Sequence, residues 1–370
     1  PSPPEAAADV SASSSNAARV ASSKWHFFDE QDGYLDFSNF LAAGGFIPLP
    51  IIITEPAVDQ GLGVAAVFLS MEAPREVTRN VLAAVKTGNG SSGVGLARSG
   101  NAFDGRLNYR VGVGHGKITL NAYTSFAPNQ GLEYTNNYDY GLIGAAFWKL
   151  PDDRFSVGPL LDVRKLESQV DIPGLPEDFV HDYSHTLQTA ALGLGLHFDS
   201  RNNPLTPTRG ANAYVEGKFN REAFGSDRDF EAYDAHLYAF HEVSPKLRLG
   251  YKLELNAIRG DFPDYFAPAI NLRGVQAQRY EGMSVASSEL ELTWQASPRW
   301  SLLTFGGVGS SDAGDRRFFK DSGGVWAGGV GFRYKLARKL GLDAGLDLAY
   351  GSEGAVFYIQ FGHAWALGMD

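Results

Sequence analysis

The stretch at residues 339–350, "KLGLDAGLDLAY", decides the fold, because its residues alternate between two classes. Every even-numbered position is leucine, alanine or tyrosine, and the odd-numbered positions up to Asp347 are lysine, glycine or aspartate. Successive side chains of a β-strand point to opposite faces, so this pattern predicts a strand with one apolar face and one polar face. The same alternation recurs at residues 211–219, 246–256 and 326–336.

Composition narrows the class of protein. The 370 residues are 44% apolar and 12% aromatic, with a net charge of -10 and no cysteine. Disulfides and thiolate metal sites are therefore excluded, and an acidic chain lacks the basic surface that a nucleic-acid partner requires. No apolar run reaches the roughly 18 residues that suggest a membrane helix. The nearest, "FIPLPIII" at residues 46–53, is broken by prolines.

The lengths of the connections favour a transmembrane barrel over a soluble sandwich. Sixteen strands are predicted, at residues 61–70, 80–87, 90–98, 104–113, 116–124, 137–149, 153–165, 185–198, 209–221, 229–243, 246–258, 285–297, 299–310, 324–335, 338–350 and 355–365. Links after even-numbered strands are mostly short, as at residues 150–153, and links after odd-numbered strands are mostly long, as at residues 259–284. This sorting is typical of outer-membrane barrels, and a sandwich gives no reason for it.

The sequence therefore predicts an all-β fold, a closed 16-stranded antiparallel transmembrane β-barrel with short periplasmic turns and long extracellular loops. Its apolar face would contact outer-membrane lipids and its polar face would line the lumen. A free sheet edge in hydrocarbon would leave backbone groups unpaired, at several kcal/mol each. We therefore expect the first and last strands to meet as a seam.

Aromatic residues support the barrel independently. Four tryptophans fall beside predicted short turns or the final strand end, namely Trp148, Trp294, Trp300 and Trp365. Four further aromatic residues fall at the predicted long-loop end, namely Tyr138, Tyr140, Trp326 and Tyr350. Two such belts are expected where a barrel meets the two membrane interfaces.

The chain divides by composition into four parts. Residues 1–24 are mostly proline, alanine and serine, which predicts a disordered tail. Residues 25–60 form an N-terminal segment with a short helix capped by Asp36, and we expect it to pack at the periplasmic mouth or in the lumen. Residues 61–365 form the barrel, and residues 366–370 form a C-terminal tail. Since no charged and apolar leader is present, an exported protein would already have lost its signal peptide.

Four motifs occur in an order that resembles a known family: "LRG" at residues 272–274, "DSRNNPLTPTRG" at 199–210, "SELEL" at 288–292 and the closing "YIQFGHAW" at 358–365. They resemble the bacterial surface-antigen superfamily of outer-membrane assembly factors that includes BamA and TamA. The resemblance implies a sixteen-stranded barrel whose sixth outer loop folds into the lumen. The lead-in "FDEQDGYLDF" further resembles a stand-alone branch that lacks periplasmic POTRA domains, for which the residues before the first strand leave no room.

The resemblance also implies a role for the loop tip. In the family, a Val/Leu-Arg-Gly-aromatic tip lies against acidic groups of strands 12 and 13. By position, Arg273 is the tip arginine, between Leu272 and Gly274. Parity puts Glu289 and Glu291 on the inward face, so either carboxylate could receive the guanidinium. A buried arginine needs such a partner, since its desolvation is otherwise uncompensated.

Two positions depart from the family pattern. Val275 stands where the family prefers an aromatic residue, and Gly307 stands where many members carry an aspartate. The tip is therefore held less tightly, or by another inward acid such as Asp343 or Asp347. A solvated loop arginine is the alternative interpretation of Arg273.

The last strand resembles the signal by which barrel-assembly machinery recognises its clients. Its apolar side chains are expected to alternate outward, at Phe357, Ile359, Phe361 and Trp365. The simpler interpretation is a lipid-facing strand, and the two interpretations are compatible.

The sequence offers little other indication of metal binding or catalysis. Asp29, Asp32 and Asp36 suggest calcium, but their spacing misses the pattern of a calcium loop. Asp234 and His236 are expected to form a hydrogen-bond pair in the lumen rather than an acid-base dyad. Since no serine nucleophile with an orienting histidine is recognisable, we expect no enzyme activity, no metal and no cofactor.

Three functions are compatible with these features. The resemblance implies insertion or translocation of protein clients through a weak seam, with reduced or specialised activity because POTRA domains are absent. A barrel of sixteen strands could also enclose a passive or gated channel for small solutes. A structural or surface-exposed barrel is the third. In each case the expected partners are outer-membrane lipids and, during biogenesis, the barrel-assembly machinery.

Overall fold

The computed structural model describes residues 27–42, 46–53, 58–73, 76–124, 127–171, 185–263, 266–312 and 324–365. These residues form a short helix, α1 (Ser38–Ala42), a single 3-10 turn (Glu222–Phe224) and sixteen strands. The predicted tails at 1–24 and 366–370 lie outside the described residues. Over the described ranges, no helix combines the length and the hydropathy that crossing a bilayer requires.

The strands are β1 (Phe46–Ile53), β2 (Gly61–Ala73), β3 (Glu76–Thr87), β4 (Ser92–Ala102), β5 (Leu107–Thr124), β6 (Ala127–Lys149), β7 (Phe155–Asp171), β8 (His185–Asp199), β9 (Gly210–Asn220), β10 (Phe230–Ser244), β11 (Leu247–Gly260), β12 (Ser284–Gln295), β13 (Trp300–Asp312), β14 (Val325–Ala337), β15 (Leu342–Gly351) and β16 (Gly354–Phe361). They form one sheet in which every strand pairs antiparallel with its sequence neighbour, from β1 to β16. The predicted all-β antiparallel architecture is confirmed, and a two-sheet sandwich is excluded. The strands β1 and β16 form the two edges.

The number of strands matches the prediction, but two assignments were wrong. The sheet begins at Phe46–Ile53, which the prediction placed in the N-terminal segment because of its prolines. Proline is tolerated on an edge strand, where one side of the backbone has no ladder to complete. Conversely, the predicted strands 104–113 and 116–124 are one strand, β5. A register shift between Gly114 and Gly116 against β6 shows a bulge, which accommodates the glycines without ending the strand.

The two faces of the sheet are inverted relative to a water-soluble protein. On β15, Leu348 is 56% exposed on the outer face, whereas Asp347 on the inner face is 1% exposed. The same parity places Leu346 and Tyr350 outside and Asp343 inside. Exposed apolar side chains around a charged interior are what hydrocarbon as the outer solvent selects.

Hydrogen-bonded polar side chains fill part of the interior. His197 and His236 each contact Asn212 at 2.7 Å. Asp234 accepts a hydrogen bond of 2.6 Å from Asn256. The two members of the predicted Asp234–His236 pair therefore take part in hydrogen bonds with asparagines of neighbouring strands.

The aromatic belts follow the prediction except at two residues, the half-buried Tyr138 and the buried Trp365. Trp148, Trp294 and Trp300 are exposed near the short turns, and Trp326 and Tyr350 are exposed near the long loops.

Trp365 was predicted to face outward, and this is wrong. Phe357 is exposed on β16, but the strand ends at Phe361, and Gly362 (φ +78°) turns the chain. Trp365 is buried in the interior against Tyr238 and Phe240. The turn at glycine breaks the two-residue parity on which the prediction rested.

Candidate functional site

The connection between β11 and β12 covers residues 261–283, and we call it L6. Its described residues 266–283 enter the space on the inner face of the sheet. Its neck is held by a bridge between Ala269 and Glu281 and by a hydrogen bond of 3.0 Å from the Ile270 N–H to the Tyr280 carbonyl. The tip is a tight turn, in which the Val275 N–H donates to the Leu272 carbonyl at 3.0 Å. A type II β-turn requires a positive φ at its third residue, which favours glycine.

The "LRG" motif supplies that geometry. Gly274 has a φ of +94°, so it occupies the third position of the turn. Arg273 occupies the second position, from which its side chain extends beyond the loop. The local sequence therefore forms a tight tip that presents one guanidinium.

Arg273 contacts three carboxylates. Its Nε donates to Glu289 Oε1 at 3.0 Å, its Nη2 donates to Glu291 Oε2 at 2.8 Å, and its Nη1 donates to Asp347 Oδ2 at 2.7 Å. Nη2 also donates to Glu289 Oε1. The guanidinium carbon lies 3.7 Å from the ring centroid of Phe305. Among the predicted acids, the structure thus brings Glu289, Glu291 and Asp347 to Arg273.

Asp343, the fourth predicted acid, is not brought to the cluster. It is buried, but the three carboxylates that pair with Arg273 are those of Glu289, Glu291 and Asp347. Its Oδ1 has no hydrogen-bond partner among the described residues.

Arg333 is a second cation of the cluster, and the prediction missed its role. It donates to Asp347 Oδ1 at 2.5 Å and to Oδ2 at 3.0 Å. The two guanidinium groups of Arg273 and Arg333 therefore face three carboxylates, those of Glu289, Glu291 and Asp347. Parity alone could have placed Arg333 here, since it lies on the inward face of β14.

Burial and charge act in opposite directions on Arg273. Burial disfavours a charged guanidinium, but the carboxylates of Glu289, Glu291 and Asp347 compensate its charge. Arg273 is therefore a permanent cation inside the sheet. Removing one partner of such a buried cluster typically costs about 3–5 kcal/mol, because the remaining charges lose their compensation.

Two glycines on β13 make room for the tip. A Cβ at Gly307 would lie 2.5 Å from Leu272 Cδ1, and a Cβ at Gly309 would lie 2.5 Å from Ile270 Cγ2. Val275 is buried in the same apolar cluster as Leu272. The departure at Gly307 therefore has a steric reason, because the position is occupied by the loop and the third acid comes from β15.

L6 is also attached to the last strand and its turn. The Gly274 N–H donates to Tyr358 Oη at 3.0 Å. Arg279 Nε donates to Glu353 Oε1 at 3.1 Å. No sequence signal identified Tyr358, because its role depends on how deeply the loop enters the interior.

Trp365 joins the chain end to the same cluster. Its indole N–H donates to Glu289 Oε1 at 2.9 Å, the oxygen that also accepts from Arg273. One carboxylate therefore links the loop tip to the residues that follow β16.

The N-terminal segment, residues 27–42, lies on the turns at the short-turn end of the sheet. Arg299, in the β12–β13 turn, donates to Asp29 at 2.8 Å, to Asp32 at 2.6 Å and to Asp36 at 2.6 Å. These carboxylates surround a guanidinium, and the described residues contain no group of three acids and histidines able to hold a metal ion. The arrangement leaves no calcium loop at this position.

Helix α1 lies against the same turns. Asp36 Oδ1 accepts from the Ser38 N–H at 2.7 Å, as the predicted cap requires. Leu41 packs in a buried cluster with Leu205, Ala337 and Leu342. The segment is therefore fixed by an apolar contact as well as by Arg299.

Comparison with protein families matches residues 61–268 to the Omp85 superfamily domain. This match covers more than half of the 370 residues. A search of curated protein sequences gives no significant match.

Several solved structures are similar to this chain in fold. BamA from Haemophilus ducreyi lacking POTRA domains 1-3 has a TM-score of 0.57 at 12% identity, over 92% of this chain and 81% of that chain. CdiB from Acinetobacter baumannii has a TM-score of 0.54 at 8% identity, over 85% and 58%. CdiB from Escherichia coli has a TM-score of 0.55 at 7% identity, over 93% and 73%. At these identities the similarity concerns the fold alone.

Proposed function

This chain belongs to the Omp85 superfamily, and from that premise we propose that it inserts or translocates polypeptides at a seam between β1 and β16. Barrels of this family reside in the outer membrane, surrounded by lipid, and the family is one of protein insertion and secretion rather than of enzymes. Three features of the chain support a role in polypeptide passage at this seam: the proximity of β1 and β16, the edge of β1 and the position of L6.

We take the sheet to close where its two edges, β1 and β16, come together. Cα atoms of β1 and β16 lie within 8 Å of each other. Within the described residues, however, the backbone ladders run only between sequence neighbours, and none joins β1 to β16. Because an unpaired edge in hydrocarbon costs several kcal/mol per group, lipid drives the two edges together.

The edge of β1 is chemically weak. Alternate residues of a strand direct their N–H groups to the same side, and Pro48 and Pro50 have none. The strand β1 pairs with β2 along residues 46–53. That ladder loses no hydrogen bond if the backbone nitrogen atoms of the two prolines point away from β2, toward β16. Two donors are then missing from the seam, which supports a seam that opens at lower cost than any interior pair of strands.

The position of L6 is the single observation that carries the proposal. The contacts of Arg273 with Glu289, Glu291 and Asp347 hold the loop inside the sheet. There it acts as a partial plug, and its attachment to Tyr358 keeps it beside the last strand. A plugged lumen beside a weak seam suits lateral passage of a polypeptide better than free diffusion.

A cysteine-locking experiment tests the proposal. Because the chain has no cysteine, pairs placed in β1 and β16 would be the only thiols. We expect oxidation to abolish insertion of a small β-barrel precursor into proteoliposomes, and reduction to restore it. The matched control is Leu96→Cys with Val113→Cys, a directly paired position of β4 and β5, whose oxidation leaves insertion unchanged. Full insertion with a locked seam would contradict the proposal.

A channel is the second candidate, and one observation favours it. A cavity of about 430 Å³ lies between L6 and the strands β7 to β11. Charged side chains of both signs line it, including Asp162, Arg164, Lys218 and Asp234. Such a lining suits water and small polar solutes.

A further inference from the structure

The N-terminal segment contains a small hairpin with an exposed apolar end. Phe28 and Leu35 form a bridge, and the Asp29 N–H donates to the Tyr34 carbonyl at 2.8 Å. Phe28 is 54% exposed, Tyr34 56% and Leu35 40%. Three large apolar side chains exposed on one short hairpin mark a surface that contacts something other than water.

The hairpin is firmly held on its polar side. Arg299, whose side chain is 2% exposed, binds Asp29 and Asp32. Arg338, in the β14–β15 turn, donates to Asp29 Oδ1 at 3.0 Å. Asp29 and Asp32 are thus paired with arginines of the turns, while Phe28, Tyr34 and Leu35 are not part of these ion pairs.

The hairpin lies beside the aromatic belt of the outer face. Tyr334 donates its hydroxyl to the Leu35 carbonyl at 2.6 Å. Tyr334 is paired in register with Trp300, and their ring centroids are 4.9 Å apart. Trp300 is exposed on the outer, lipid-facing side of the sheet. The hairpin therefore continues the belt of Trp300 and Tyr334 at the rim.

We infer that this hairpin, residues 28–35, is an interfacial anchor that places Phe28, Tyr34 and Leu35 in the lipid headgroup region at the short-turn end of the barrel. The partner is the phospholipid surface that the belt already contacts. Aromatic residues with a polar tip are enriched at this depth, because one end is apolar and the other end can be hydrated. Glu30, the remaining exposed acid, stays in water.

Single-cysteine spin labelling tests the anchor. Nitroxide labels at Tyr34→Cys, Leu35→Cys and Glu30→Cys are measured in phospholipid vesicles for collision with oxygen and with a water-soluble nickel chelate. The chain has no other thiol, and Leu348→Cys on the outer face of β15 provides the lipid reference. We expect the labels at 34 and 35 to favour oxygen, at a depth within roughly 5–10 Å of the headgroup level. The label at 30 should favour the nickel chelate.

Two results would overturn the inference. Labels at 34 and 35 that are as accessible to nickel as the label at 30 would mean that the hairpin stands in water. Labels shielded from both reagents would mean that protein, such as a second copy, covers the hairpin. A further variant, Tyr334→Phe, removes the hydroxyl that holds Leu35 and should reduce the oxygen preference of the label at 34. Heat-modifiable migration on gels establishes that each variant is folded.

Discussion

Arg273 binds L6 to the wall of the barrel through three carboxylates and one aromatic ring. We predict that Arg273→Ala lowers the free energy of unfolding from vesicles by about 3–5 kcal/mol, because Glu289, Glu291 and Asp347 lose their shared cation. Arg273→Lys should recover only part of the loss, since an ammonium cannot reproduce the planar fork or the stacking on Phe305. Urea unfolding followed by tryptophan fluorescence measures both.

The matched control lies in the same loop. Arg279 pairs with Glu353 at 3.1 Å, and its side chain is one-third exposed. Arg279→Ala should therefore cost less than about 1 kcal/mol, as for other solvent-screened pairs. Equal losses for Arg273→Ala and Arg279→Ala would show that the buried cluster has no special role.

Gly307 gives a second prediction at the scale of one residue. Many members of the family carry an aspartate here, but in this chain the Cβ of any side chain would lie 2.5 Å from Leu272 Cδ1. We predict that Gly307→Asp displaces the loop tip and lowers the free energy of unfolding by about 1–3 kcal/mol, as overpacking does. Gly307→Ala separates the effect of volume from that of charge. An aspartate variant more stable than the native protein would refute the steric explanation.

The roles of single residues were predictable where they depend on a local motif or on strand parity, and not where they depend on tertiary contacts. Arg273 and its acids Glu289 and Glu291 follow from a motif and from strand parity, both of which are visible in the chain. Choosing Asp347 over Asp343 required the depth to which L6 descends, a tertiary quantity. Trp365 was misplaced because one glycine turn ended the alternation.

At the scale of elements, β1 is the strand on which the seam depends. Pro48→Ala with Pro50→Ala returns two N–H donors to β1, and in the proposed orientation these donors face β16. We predict a more stable seam, by about 0.5–1.5 kcal/mol for each hydrogen bond gained. The measurement is the rate of disulfide formation between cysteine pairs in β1 and β16 together with the rate of client insertion.

The two rates should change in opposite directions in the alanine variant. Faster cross-linking reports a better-paired seam, and slower insertion reports a seam that opens less often. An unchanged insertion rate beside faster cross-linking would separate the seam from the function.

The docking of the N-terminal segment should depend on pH. The hydrogen bond from Arg299 lowers the pKa of Asp32 below its usual 3.8. Burial would raise the pKa of Asp36, but hydrogen bonds from Ser38 and Arg299 outweigh it and lower that pKa as well. A lowered pKa contributes stability above the usual value and loses it as the pH falls through the folded value. We therefore predict release of the segment only below about pH 4.

Anisotropy of a fluorophore on Glu30→Cys, titrated from pH 7 to pH 2 at constant salt, measures that release. Asp36→Asn provides the control, since it removes one titrating group and should weaken docking already at neutral pH. Release that begins above pH 4, or docking in Asp36→Asn as tight as in the native chain, would contradict the ion-pair account.

Strands were predicted correctly where their sequence alternates with a period of two. The prediction was wrong where it relied on one residue type, proline in β1 and glycine in β5. The strands β8 to β15 follow from two-residue alternation. The strand β1 was missed because proline normally argues against a strand, and an edge position is not visible in the sequence. The strand β5 was divided because glycines in a bulge resemble a turn.

At the scale of the whole molecule, the sheet exposes leucine side chains on its outer face and buries ion pairs on its inner face. That inversion, the antiparallel order and the membership of the Omp85 superfamily were all predictable, because they depend on parity, loop lengths and motifs spread over the chain. The placement of L6 and of Arg273 inside was implied by the family resemblance, but the contacts of Trp365 with Glu289 and of Tyr358 with Gly274 were not predictable, because they join residues distant in sequence.

Single-channel current in planar bilayers tests most directly whether Arg273 holds L6 inside the barrel as a partial plug. We predict a small, fluctuating conductance for the native chain and a larger, steady one for Arg273→Ala, with Arg279→Ala resembling the native chain. A large and steady pore in the native chain, unchanged by Arg273→Ala, would contradict the plug and favour the open channel.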